Sequence, residues 1–210
     1  YRREPGSMST FGGASESTTN AYVTYALATT GDAQDLMLEL GVLAQRAQET
    51  NDPYELALCA GALAASGRDS PAEAARKRLA EMQRDDGLWT GSAPSMTGSR
   101  GENLAVETTA FALLALADDA TYRDACARAL DALLAFRKAD GSFGATQATV
   151  MALKAILKAR KHGLDARGQG RFELRIDGAY AGSIDVAAPR SEPIVLDGFA
   201  SMLRSGTQYR

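Results

Sequence analysis

The stretches "AVETTAFALLALADD" (105–119) and "DGSFGATQATVMALKAILKARK" (140–161) decide the fold. In both, apolar residues recur at steps of three and four, which is the spacing of one face of an α-helix. The second run is entered through a glycine and aromatic turn, Gly141-Ser142-Phe143-Gly144. It ends at His162-Gly163, where a cation and a left-handed residue suit a helix C-terminus.

Working outward, the same period predicts helices at about 17–30, 34–48, 53–66, 71–84, 103–118, 121–138 and 145–161. Gly31, Gly67, Gly87, Gly141 and Gly163 each follow a periodic run and supply stop signals. Pro53 and Pro71 suit first-turn positions, where proline's missing N–H has no partner to lose. The composition agrees: 40 of 210 residues are alanine, 45% are hydrophobic, 23% charged and 7% aromatic. That mixture suits a folded, core-forming chain and argues against disorder.

Alternate helices share a weak repeat. "TTNAYVTYALATTG" (18–31), "YELALCAGALAASG" (54–67), "VETTAFALLALADD" (106–119) and "TQATVMALKAILKA" (146–159) set small residues around an Ala-Leu or Ala-Ile pair. The Ala-Leu pairs at Ala26, Ala62, Ala115 and Ala152 lie 36, 53 and 37 residues apart, the spacing of helix pairs. The helices between them, such as 71–84 and 122–138, carry charge on one face only, whereas the alternate set is apolar on most faces. An inner set of buried helices wrapped by an outer amphipathic set is an α/α toroid, here a partial one over 1–162. A second recurrence supports it: "QRDDGLWTG" (83–91) and "RKADGSFGATQ" (137–147) each place an aromatic, Trp89 or Phe143, two residues after Asp-Gly. Phe11-Gly12-Gly13 reads as a degenerate third member.

Beyond His162 the pattern changes. Residues 163–170 read as a linker. "RFELRID" (171–177), "YAGSIDVAA" (180–188) and "EPIVLDGF" (192–199) read as strands around an Asp177-Gly178 turn, so 163–210 is expected to be a linker and a β-strand segment.

The chemistry is sparse. Lys plus Arg total 23 against 26 for Asp plus Glu, a formal charge of -3 without a basic patch, which argues against nucleic acid. No apolar run approaches the ~20 residues of a membrane span. Cys59 and Cys126 stand alone in alanine-rich helices, without CxxC or Cys/His clustering, and are expected as buried small residues. Asp85-Asp86 and Asp118-Asp119 are adjacent pairs at helix ends whose members diverge, so they read as turn and capping residues. His162 has no nucleophile for a partner. Glu107 is expected to stabilise a first helical turn, and Trp89 to pack in its turn as Phe143 does in the other. No catalytic, cofactor-binding or metal-ligating residue is expected.

At 140–161 the sequence resembles the closing helix of the thioester domain of the alpha-2-macroglobulin and complement family: a glycine and aromatic turn, then Ser/Thr-Gln-x-Thr, then an apolar helix. The matching residues are Gly141, Phe143, Gly144, Thr146, Gln147 and Thr149. Residues 105–117, with Glu107 and Thr108, resemble the family's Glu-x-Thr helix; 54–68 and 19–27 resemble earlier helices in the family's order, and Trp89 falls in the turn before 105. The strands from 171 resemble the adjoining β domain. The resemblance implies a protease trap without catalysis of its own, with target proteases and other domains of the same parent chain as partners. It also implies a periplasmic or extracellular location, often lipid-anchored in bacterial members of the family. The alanine and arginine richness and scarce cysteine suit a bacterial member. In the family a Cys-x-x-Gln thioester tags the attacker, but Ala62 and Ala129 stand three residues after the two cysteines, so this chain contains no such motif. The alternative is an α/α-toroid enzyme of the terpene cyclase or prenyltransferase type, because "EMQRDDGLWTG" (81–91) resembles those enzymes' Gln-x-x-x-Gly-x-Trp repeat. DDxxD and DxDD arrays are absent.

Overall fold

The computed structural model describes residues 13–31, 33–164, 170–186, 198–199, 202–204 and 207. Seven helices form along the first part of the chain: α1 Glu16–Thr30, α2 Met37–Glu49, α3 Pro53–Ala65, α4 Asp69–Glu81, α5 Gly101–Leu116, α6 Arg123–Ala135 and α7 Thr146–Lys161. Short 3-10 segments at Ala33–Leu36 and Ala120–Tyr122 lead into α2 and α6, splitting two of the expected helices. The starts follow from capping chemistry. The Ser15 side chain accepts the Thr18 N–H and Asp52 accepts that of Tyr54, directly ahead of Pro53. Gly31, Gly67 and Gly163 take left-handed φ just past α1, α3 and α7.

Consecutive inner helices pack side by side, α1 on α3, α3 on α5 and α5 on α7, while α2, α4 and α6 cover them from outside. This is a two-layer, mainly α arrangement. α3 and α5 are buried over nearly their whole length, each lying between two inner neighbours. The expectation of burial on most faces does not extend to the other two. α1 buries only Thr18, Thr19, Ala21, Thr24 and Ala28, and α7 leaves Val150, Leu153 and Leu157 exposed. Each of these end members of the described row packs extensively against one inner neighbour, so less of its surface is covered.

Side chains of α4 and of the turn after it stitch neighbouring helices of both layers together by reaching their backbone carbonyls. Arg78 of α4 bonds the carbonyls of Ala47 and, at 3.0 Å, Thr50, which closes the C-terminal end of α2. Arg76 reaches Ala115 O at 2.9 Å, and Gln83 reaches Ala125 O at 2.9 Å. The bonds to Ala47, Thr50 and Ala115 satisfy carbonyls at helix C-terminal ends that a helix cannot satisfy itself.

The chain divides into two compact units, Tyr1–Leu164 and Asp165–Arg210. In the second, β1 (Gly170–Ile176) and β2 (Ala179–Val186) form an antiparallel hairpin with a register irregularity at Leu174/Arg175. Asp177 and Gly178 turn it with φ of 50° and 81°, the paired positive values that an Asp-Gly turn supplies. The strand expected at 192–199 falls almost entirely outside the described residues, as do Phe11 and Gly12.

Candidate functional site

The two Asp-Gly turns are built alike. Asp86 and Asp140 each accept the N–H two residues on, at 3.1 and 2.9 Å. Arg84 N–H bonds Leu88 O at 3.0 Å, and Lys138 N–H bonds Ser142 O at 2.9 Å. Gly87 and Gly141 both take left-handed φ, 82° and 84°. A Cβ at Gly87 would also collide with the Arg128 carbonyl, 2.6 Å away, so α6 sets how closely this turn packs. The aromatic that follows is buried each time, Trp89 at 0% exposure and Phe143 at 3%. Its backbone N–H donates to a threonine on the next inner helix, Trp89 to Thr109 Oγ1 and Phe143 to Thr149 Oγ1, both at 3.0 Å. Trp89 also donates through Nε1 to Leu79 O at 2.6 Å.

The two copies differ in one respect. The threonine stands six residues after Phe143 but 20 after Trp89. Nine of the 14 additional residues form a strap, 92–100, between Gly91 and the start of α5, and the other five lengthen the start of α5; together they account for most of the long interval in the Ala-Leu spacing. Gly91 N–H bonds Thr108 Oγ1 at 3.3 Å, and Thr108 donates on to Leu104 O at 2.7 Å. Ser92 bonds the Asp52 carboxylate at 3.0 Å, tying the strap to the N-cap of α3. Ser95 and Met96 are buried.

Beneath the strap lies Glu107. Helix α5 begins at Gly101, so Glu107 sits two turns in rather than in the first turn, where Glu102 stands instead. The expectation of first-turn stabilisation is therefore corrected: Glu107 is fully buried, at 0% exposure. Its Oε1 accepts a hydrogen bond from Ser99 Oγ and a long one, 3.5 Å, from Thr97 Oγ1, while Oε2 has no partner. Burial pushes its carboxyl above the ordinary range, and the hydroxyls of Ser99, Ser95 and Thr97 pull it back only part of the way. Tyr54 donates no charge to it; its hydroxyl accepts the Met96 N–H at 3.4 Å, and burial together with the nearby Glu107 raises its pKa. Tyr22, Tyr25 and Tyr54 all meet the Phe111 ring edge-on, at centroid distances of 6.2, 5.3 and 5.6 Å.

At the second turn Gly144 has φ of 109° and faces the Asn103 side chain, whose Oδ1 accepts the Ala145 N–H at 2.8 Å. Thr146 opens α7 and is exposed. Gln147, two residues ahead of its threonine as Glu107 is ahead of Thr109, donates to the Tyr22 hydroxyl at 3.1 Å and so links α7 to α1. The motif residues thus fall into two groups: Trp89, Glu107 and Thr108 around the strap, and Gly141, Phe143, Gly144, Thr146, Gln147 and Thr149 around the second turn. Tyr54, Ser95, Thr97, Ser99, Asn103 and Thr109 complete the site without having been singled out in sequence. The alternating hydroxyls of "SMTGS" (95–99), just ahead of a helix with one internal acid, were the available signal.

The remaining candidates behave as structural groups. Cys59 and Cys126 are free and buried, and burial pushes both thiols up to about 12. Asp86 pairs with Arg84 at 2.7 Å. Asp118 binds Lys158 and His162 at 2.6 and 3.0 Å, whereas Asp119 caps the 3-10 segment at Thr121. The acids of the second pair thus point to different partners. Asp118, Asp119, Arg123 and His162 line a shallow depression of about 120 Å³. Among the described residues no group of three His, Cys, Asp or Glu side chains is placed to hold a metal ion.

Residues 11–158 match the family described as the A-macroglobulin TED domain. That span contains all the helices except the last turn of α7, and the chain belongs to this family. No curated protein matches the chain. None of the described helices is long and apolar enough to cross a membrane.

Proposed function

We propose that this chain is the non-catalytic scaffold of a thioester domain within a larger macroglobulin-type protease trap, working in the periplasm or outside the cell, in a bacterium. The reading rests on the family match over 11–158 together with the state of the two cysteines. A thioester nucleophile must be reachable by an acyl partner and later by water or an amine. Cys59 and Cys126 are sealed in the helical core, without a glutamine three residues on. A covalent tag, where the parent makes one, therefore belongs to a segment other than this one. The domain's own work is mechanical: it holds its helix ends and Asp-Gly turns in fixed register while neighbouring domains of the parent move. Protease challenge of the full-length parent tests the trapping role. Cleavage of the parent is expected to leave the endopeptidase bound to it, active on a small peptide substrate and blocked toward a large protein one. Release of the protease with undiminished activity on protein substrates contradicts the reading.

A further inference from the structure

The strap is dispensable to the repeat, since the second Asp-Gly turn passes to its threonine in six residues without one. It is nevertheless docked, with Ser95 at 0% exposure and Met96 at 6%. What holds it is polar: Ser99 and Thr97 on Glu107, Met96 N–H on the Tyr54 hydroxyl, and Ser92 on Asp52. Glu107 is the buried acid of that set, and its Oε2 has no hydrogen-bond partner. A carboxylic acid tolerates such a place, because it carries no charge. A carboxylate there leaves a full charge away from water with one oxygen unpaired, which is far costlier than an unpaired neutral group.

The elements packed around Glu107 offer no described cation to offset that charge. On α3, Tyr54 is the titratable neighbour, and Arg46 from α2 is committed to Glu55 at 2.9 Å. On α4, Arg76 bonds Ala115 O; on α6, Arg128 bonds Gln83; on α7, Lys158 bonds Leu114 O and Asp118, towards the far end of α5. Tyr22 is the titratable group that α1 contributes to this neighbourhood, and Arg100 at the strap's end is exposed.

We propose that the strap 92–100 is a proton-operated latch, closed over the ends of α3 and α5 while Glu107 is protonated and opened by loss of that proton to solvent. Opening admits water to the carboxylate and frees the Ser99 and Thr97 hydroxyls. Because burial raises the Glu107 carboxyl, the closed form is fully favoured below the ordinary carboxylate range. It weakens as pH rises through the raised value.

Hydrogen exchange of the 210-residue chain, corrected for intrinsic exchange at each pH, tests this. As pH rises from the ordinary carboxylate range up to the raised value, strap amides such as Met96, Gly98 and Ser99 are expected to lose protection by about tenfold per pH unit, the dependence of an opening linked to one proton, and to level off above it. Amides of α4 and α6 should hold theirs, and Glu107→Gln should keep strap protection level with pH. Strap protection that is flat in the unmodified chain, or that falls equally in Glu107→Gln, overturns the latch. Difference infrared spectroscopy of the unmodified chain makes the test independent of how that variant folds. The carboxylic-acid band should vanish over the pH range in which the strap opens, and opening without loss of that band overturns the proposal.

Discussion

Trp89→Ala is expected to lower the free energy of unfolding of the helical unit by about 3–5 kcal/mol, the range for removing a large aromatic from a packed core. Three things are lost at once. The indole is fully buried, its Nε1–H satisfies the Leu79 carbonyl of α4, and the ring holds in place a backbone whose N–H is clasped by Thr109. Trp89→Phe separates them, because Phe143 performs the packing in the sister turn without an indole N–H. It should cost about 1–3 kcal/mol, much of it from leaving the Leu79 carbonyl unpaired. Denaturant unfolding followed by far-UV circular dichroism measures both. A loss below 1 kcal/mol in Trp89→Ala would mean that the turn is peripheral to the core.

Arg46→Met should be the second most damaging change described here, at about 2–3 kcal/mol near pH 7. That is below the usual cost of breaking a buried pair, because Arg46 is itself 38% exposed. Its guanidinium grips both oxygens of Glu55, at 2.9 Å each, while Thr50 adds a 2.5 Å hydrogen bond. Burial pushes the Glu55 carboxyl up. Hydrogen bonds from Arg46, Thr50 and Ser17, with the Arg46 charge, outweigh it and hold the carboxyl below its ordinary range. A depressed acid contributes stability above its unfolded pKa and loses it as pH falls through the folded value. In Arg46→Met burial is opposed only by hydroxyls, so the deficit against the parent chain should shrink on acidification. A deficit that stays level with pH would show that Arg46 acts through packing of its alkyl stem instead.

The helices were legible because their apolar period and glycine stops are local signals, and the Asp-Gly-x-aromatic turns because two copies of one sequence pattern make one set of hydrogen bonds. Family membership was legible in the same residues, Phe143 through Thr149 and Glu107 with Thr108. Burial of α1 and α7 was overestimated, since apolar content says how much of a helix can be covered and not how many neighbours it has. Glu107 was misplaced for a related reason. An acid beside the first long apolar run looks like a first-turn group, although the period already starts the helix near 103 and α5 begins at Gly101. The strap's grip on it was hidden because Ser95, Thr97 and Ser99 look like ordinary loop residues until the fold sets a buried carboxyl beneath them.

The most direct test of the account is peptide mapping of the full-length parent before and after methylamine treatment, with alkylation of accessible thiols. The scaffold reading predicts that Cys59 and Cys126 are free thiols in both samples and are alkylated only on unfolding. Any methylamine adduct, with its newly released thiol, should map outside these 210 residues. A thiol released at Cys59 or Cys126 by methylamine, or an adduct on a glutamine of this chain, would contradict it.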